Sequence, residues 1–142
     1  MKRDELVWFL RRYRLAVQAT VAPDGSPQAA VVGYAVTDDL EIVFDTVGTT
    51  RKCLNLRADP RIALVVGWEH AITAQLEGTA DFPAGAELER LRDCYFRVYP
   101  EGRDRLSWPG ITHVRVRVGW VRYSDFTQDP PHVVEMPAAQ LA

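Results

Sequence analysis

Cysteine, histidine and serine are scarce in this chain of 142 residues, and each shortage removes a class of chemistry. The two cysteines, Cys53 and Cys94, lie far apart and form no CxxC pair. They read as reduced thiols in helical segments rather than as a disulfide or a redox couple. His70, His113 and His132 are scattered, with no spacing that gathers a zinc site, so no metal is expected. Ser26, Ser107 and Ser124 stand outside any GxSxG setting, and nothing marks a nucleophile elbow. No apolar run approaches the roughly 20 residues of a membrane-spanning helix. The opening MKRDELVWFLRRYR lacks the apolar core and small-residue cleavage site of a secretory signal. Lys and Arg number 17 against 19 Asp and Glu, a net charge of −2, which leaves no basic surplus for bulk nucleic-acid binding. The expectation is a soluble, cytoplasmic, single-domain protein with neither nucleic acid nor membrane as partner.

What is present is a regular succession of short patterned segments. Leu6, Phe9, Leu10 and Tyr13 have the spacing of one buried helix face, with Asp4 and Glu5 early and Arg11, Arg12 and Arg14 late, as the helix dipole favours. Strands are predicted over 15–22, 28–36, 41–46, 61–68, 72–82 and 112–126. Turn chemistry at Pro23 to Pro27 and at Thr37-Asp38-Asp39 joins the first three into a meander. Residues 61–68 are apolar on both faces. In 112–126, Val114, Val116 and Val118 alternate with Arg115 and Arg117. A loop and short helix fall in 47–60, and Asp59-Pro60 stops that helix. A longer helix runs from Pro83 to Pro100 with Leu88, Leu91, Tyr95 and Val98 on one face, followed by a loop over 101–111. Strands in runs with one late helix do not have the βαβ rhythm of a parallel sheet. The fold class expected is α+β, mainly β: a six-stranded antiparallel split barrel over 1–126, with 127–142 as an extended tail.

The tetrad Thr49-Thr50-Arg51-Lys52 is the most informative stretch. Helix starts favour Asp and Glu, because their free N–H groups carry partial positive charge. Here two cations occupy the first turn, which a bound anion would make favourable. With two hydroxyls and two cations, the tetrad suits a phosphate. It equally suits a solvated basic turn in which a threonine is an N-cap.

The order EIVFDT, TTRK, NLRADPRIALVVG and QLEGTADF, closed by RVRVGWVRYSDF, resembles the FMN-binding split barrel of the pyridoxamine 5′-phosphate oxidase superfamily, and specifically its short, general members. The pieces that carry the resemblance are Thr46, Arg51-Lys52, Asn55-Leu56, Asp59-Pro60-Arg61 and Glu77-Gly78. It implies a homodimer with FMN in two interfacial clefts. Arg51 and Lys52 would hold the FMN phosphate with Thr50 or Thr49 assisting, and Asp45 and Thr46 would lie beside the ribityl chain. Backbone groups near Val31, Val32 and Gly33 would face the flavin ring, although Gly33 reads equally as a β-bulge. Gln75 would reach flavin from the partner chain, or is simply an outward polar residue. Trp68 would cover a ring, or is packing. Trp120 and Arg122 are further positions near the cofactor in relatives.

The resemblance also has gaps. The oxidases carry a longer C-terminal segment that grips the substrate phosphate, and they place a glutamine where this chain has Thr73. The phosphate site for flavin is matched and the vitamin-substrate site is not. The function expected is an FMN-dependent oxidoreductase with a small-molecule substrate and no nominated catalytic residue. The alternatives are a deazaflavin-coenzyme reductase on the same fold, or a non-enzymatic flavin- or haem-binding carrier or stress protein, with His70 as the one haem ligand to name. Four Trp and five Tyr exceed what one small barrel buries, which favours an interface.

Overall fold

A computed structural model describes all 142 residues. The first helix, α1 (Arg3–Leu10), buries Leu6, Val7, Phe9 and Leu10. It stops before Tyr13, whose ring packs on Phe9 at 5.2 Å from just outside the helix. The expected late cations therefore fall beyond its last turn. Arg11 instead donates to the Val36 carbonyl at 2.7 Å and to Asp38 at 2.8 Å.

Eight strands follow: β1 (Leu15–Val21), β2 (Pro27–Gly33), β3 (Ala35–Val36), β4 (Glu41–Val47), β5 (Arg61–Val66), β6 (Ile72–Asp81), β7 (Ile111–Asp125) and β8 (His132–Pro137). All pair antiparallel in one sheet of order β2-β1-β5-β6-β7-β4-β3, with β8 on β7. The strand expected over 28–36 is broken at Tyr34. Its first half pairs with β1 and its second with β4, at opposite ends of the sheet order. Because one continuous stretch of chain supplies both ends, the sheet must curl, as the split-barrel reading requires. Tyr34 sits at the break, buried, and its hydroxyl donates to the Leu10 carbonyl at 2.5 Å.

The count of six strands was low for two reasons. One is the break at Tyr34. The other is the tail, which is not free. Residues 132–137 are extended as expected, but they pair with β7 and bury Met136 opposite Val121. The helix α4 (Ala138–Leu141) then seats Leu141 in the core. The loop expected over 101–111 is largely a 3-10 helix, Pro100–Ser107, that continues from α3 (Gly85–Val98).

Inside the curl, the buried residues of α1 share one core with Ile42, Phe44, Leu64, Leu76, Val114, Val116 and Val121. A smaller cluster, Ala35, Val43, Leu91, Tyr95 and Phe96, lies outside it beneath α3. So β4 is the strand buried on both faces. In β5 only Ile62, Leu64 and Val66 are buried, while Ala63 and Val65 stay half-exposed. Arg115, on the opposite face from Val114 and Val116, is buried under α3 and paired with Asp81 at 2.7 Å and Glu41 at 3.2 Å. The glycine of Glu77-Gly78 has a steric role. The β6–β7 register shifts there, and a Cβ on Gly78 would overlap the Arg117 carbonyl.

Candidate functional site

The helices α1 and α2 (Arg51–Ala58), eight residues each, begin in opposite ways. In α1, Asp4 and Glu5 stand in the first turn, and the Lys2 backbone N–H donates to the Glu5 carboxylate at 2.7 Å. In α2 the first turn holds Arg51 and Lys52 and no acid. Thr50 occupies the N-cap position with extended backbone, yet its hydroxyl caps nothing. It lies 3.1 Å from the Thr46 hydroxyl instead, and Lys52 Nζ donates to Thr46 Oγ1 at 3.3 Å. The ion pairs of the molecule are all made by other residues. The first N–H groups of a helix have no intrahelical acceptor. With two unpaired cations beside them, they form a concentrated positive pole that an anion can neutralise.

That pole borders a cleft of about 300 Å³ lined by Arg51, Lys52, Gln18, Thr20, Gln28, Ala29 and Ala30. Gln18 and Thr20 lie on the inward face of β1, opposite Ala30 and Gln28 of β2. Asn55, one turn into α2, donates from Nδ2 to Thr20 Oγ1 at 3.0 Å and to Gln28 Oε1 at 2.7 Å. These two bonds tie the helix to the β1–β2 hairpin and set the width of the cleft. Gln18 is 2% exposed, and its carboxamide oxygen has no hydrogen-bond partner. The residues fit a phosphorylated cofactor, with a cationic helix start for the phosphate and hydroxyls and amides alongside. Gln18, Thr20 and Gln28 were missed as site residues. A signal for the first two was present, since period two puts Gln18 and Thr20 on the same face as Ala16, a polar stretch on a buried side.

Of the residues nominated from sequence, the structure brings together Thr46, Thr50, Arg51 and Lys52. Thr49 is exposed in the turn before α2. Asp45 points to the other side of β4, where it accepts from Tyr95 Oη at 3.0 Å and Arg105 Nε at 2.8 Å. It is part of the contact between β4 and α3, away from the basic pole. Burial, with the Asp45 charge nearby, pushes the Tyr95 phenol above its ordinary range. Val32 is buried and Val31 is 59% exposed, on opposite faces of β2. At Gly33 a Cβ would stand 2.7 Å from the Tyr99 ring. The missing side chain makes room for a tyrosine of the same chain. The β1–β2 register runs without a shift to Leu15↔Gly33, so there is no bulge either.

Gln75 is exposed on the outward sheet face, between Val65 and Arg122 in register. Trp120 and Arg122 share that face, with the guanidinium 5.7 Å from the indole centroid and its Nε donating to Glu135 at 3.0 Å. Trp68 lines a separate hollow of about 240 Å³ with Arg12, Tyr13 and Arg14. His70 is exposed in the turn between β5 and β6. In this chain none of Gln75, Trp68, Trp120 or Arg122 lines the basic cleft.

Comparison with known proteins agrees with this architecture. A pyridoxine/pyridoxamine 5′-phosphate oxidase of Rubrobacter xylanophilus is 37% identical over 93 residues, covering 65% of this chain and 41% of that protein. The chain spans about half the length of the curated relatives it matches. Among solved structures, a haem-binding protein from Mycobacterium smegmatis superposes with a TM-score of 0.84 at 18% identity, over 98% of this chain and 59% of that one. A pyridoxamine 5′-phosphate oxidase-related, FMN-binding protein from Nostoc punctiforme gives 0.68 at 12% identity, over 95% and 92%. At such identities the two neighbours speak for the fold alone. The Pyridoxamine 5′-phosphate oxidase family model matches residues 3–124, and the chain belongs to that family.

Proposed function

We propose that this chain is an FMN-binding flavoprotein that acts as an oxidoreductase on a small molecule, with the cofactor bound in clefts of a homodimer. The observation that carries this reading is the uncapped, acid-free start of α2, where unpaired Arg51 and Lys52 border a polar cleft. FMN supplies the hydride chemistry when bound. The protein's share is to hold the phosphate at the helix start with Arg51, Lys52 and the N–H groups, and to line the adjoining cleft with hydroxyls and amides. No acid or base on the chain is required for that.

The homodimer is supported by the outward face of β2, β1, β5 and β6. Cross-strand pairing puts Leu15, Val17, Ala19, Ala29, Val31, Ala63 and Val65 on one side of the sheet. Leu15 is 48% exposed and Val31 59%. A contiguous apolar sheet face of this kind is the mark of an interface. Gln75 and Arg122 lie on it too, so a second copy would cover them.

The test is FMN titration of the wild type and of Arg51→Ala combined with Lys52→Ala. Charge-assisted hydrogen bonds contribute about 1.5–3 kcal/mol each, so the double variant should lose several orders of magnitude in FMN affinity. Equal affinity in a folded double variant overturns the phosphate site. The absorption spectrum of the purified protein separates flavin from deazaflavin. The haem-binding neighbour motivates a second reading, but the cleft offers no His, Cys, Met or Tyr as an axial ligand, and His70 lies outside it. A Soret band in place of flavin absorption would favour that reading.

A further inference from the structure

We infer that Gln18 is a cofactor-positioning residue, whose carboxamide oxygen receives a hydrogen bond from a hydroxyl of the polyol chain that follows the phosphate. The inference rests on the phosphate reading of Arg51 and Lys52, and extends it from the phosphate to the next part of the ligand.

Three observations carry it. Gln18 lies on the inward face of β1, 2% exposed, and lines the same cleft as the two cations. Its Oε1 is buried without any partner, whereas its polar neighbours satisfy one another: Asn55 donates both to Thr20 and to Gln28. The residue opposite it on β2, Ala30, is small and leaves space in front of the amide. A buried acceptor left unpaired costs stability in the unliganded protein, and a donor brought by a ligand relieves it. The cations take the anionic end of the ligand, so the group that reaches Gln18 must be a neutral donor one segment further along. A chain of hydroxyls meets that requirement.

Two variants and two ligands separate this inference from the reading beneath it. FMN and riboflavin share the polyol chain, and only FMN has the phosphate. Gln18→Leu should weaken both ligands by the same factor, about five- to tenfold, the size expected for one hydrogen bond. Arg51→Ala with Lys52→Ala should weaken FMN alone. In the absence of ligand, Gln18→Leu should raise the melting temperature, because it removes an unsatisfied buried oxygen. A merely structural glutamine would lower it. Unchanged affinity for both ligands in Gln18→Leu, or a loss confined to FMN, overturns the inference while the phosphate site stands. A wild type that binds neither ligand removes the phosphate reading, and this inference with it.

Discussion

Along β3, β4 and the first half of β7 the outer side of the sheet lies beneath α3, whereas along β2, β1, β5 and β6 it is left half-exposed. The covered side is rich in charge, with Asp45 on Arg105 and Arg115 on Asp81 and Glu41, and the neutral imidazole of His113 is buried there too. On β2, β1 and β5 the open side is largely Val, Leu and Ala, and on β6 it turns polar with Thr73, Gln75, Glu77 and Thr79. Along β2, β1 and β5 the apolar surface thus faces out, while a charged surface is folded inward beneath α3. Charged groups under α3 are tolerable because each finds a partner on the helix or an adjacent strand. Apolar groups on the open side find none in this chain, which is why a second copy is the natural cover.

The largest effect should come from the covered side. Arg115→Ala leaves Asp81 without its guanidinium and Glu41 with Arg90 alone. Breaking a buried pair costs 3–5 kcal/mol in general, and the remaining Arg90 contact puts the expected loss at about 3 kcal/mol, read by urea unfolding. Arg115→Met should cost less, since it refills the space. Equal losses for the two variants would show that charge, not packing, holds that side together.

Acid should attack the same side. His113 is buried against Tyr95 and Phe96, and its Nδ1 accepts from Arg92 Nε at 3.4 Å. Burial first, then the Arg92 charge, lowers its pKa to about 4 from an ordinary 6.5. The folded state therefore favours the neutral ring. Its contribution is complete above pH 6.5 and is lost as pH falls through 4, up to about 3 kcal/mol. His113→Phe should flatten the stability profile between pH 6.5 and 4. A variant with the wild-type acid slope would shift that role to the carboxylates.

The smallest effect on the fold, and the most telling for the comparison, belongs to the open side. Val31→Lys changes an exposed strand position, so the stability of the isolated chain should move by no more than about 0.5 kcal/mol. Sedimentation should nonetheless show the dimer dissociating. A wild type that sediments as a monomer with FMN bound would break the idea that the open face is an interface.

Much of this architecture was legible in the sequence, and the misses have physical reasons. The strand at β5 reads as apolar on both faces, yet β4 is the one covered twice. Composition does not say where α3 will lie. The long strand over 28–36 has unbroken β character. Its break at Tyr34 follows from the need to pair with β1 on one side and β4 on the other. The extended tail expected over 127–142, with Pro130 and Pro131 before β8 and Pro137 closing it, is in large part a strand paired with β7. At the site, the Arg51-Lys52 pair announced itself because cations at a helix start break a local rule. Gln18 did not, since a glutamine in a strand breaks none.

The sequence by itself determined the strand periodicity, the acid-free start of α2 and the family, because each is written in residues close together along the chain. Only the tertiary structure decided which side of each strand faces what. Asp45 and Thr46 are neighbours that part company, one to Arg105 and the other to Lys52. Gln18 and Lys52, 34 positions apart, come to line one cleft because Asn55 binds α2 to the β1–β2 hairpin. Alternation along a strand tells which residues share a side. The register and the helices laid against the sheet tell what each side meets.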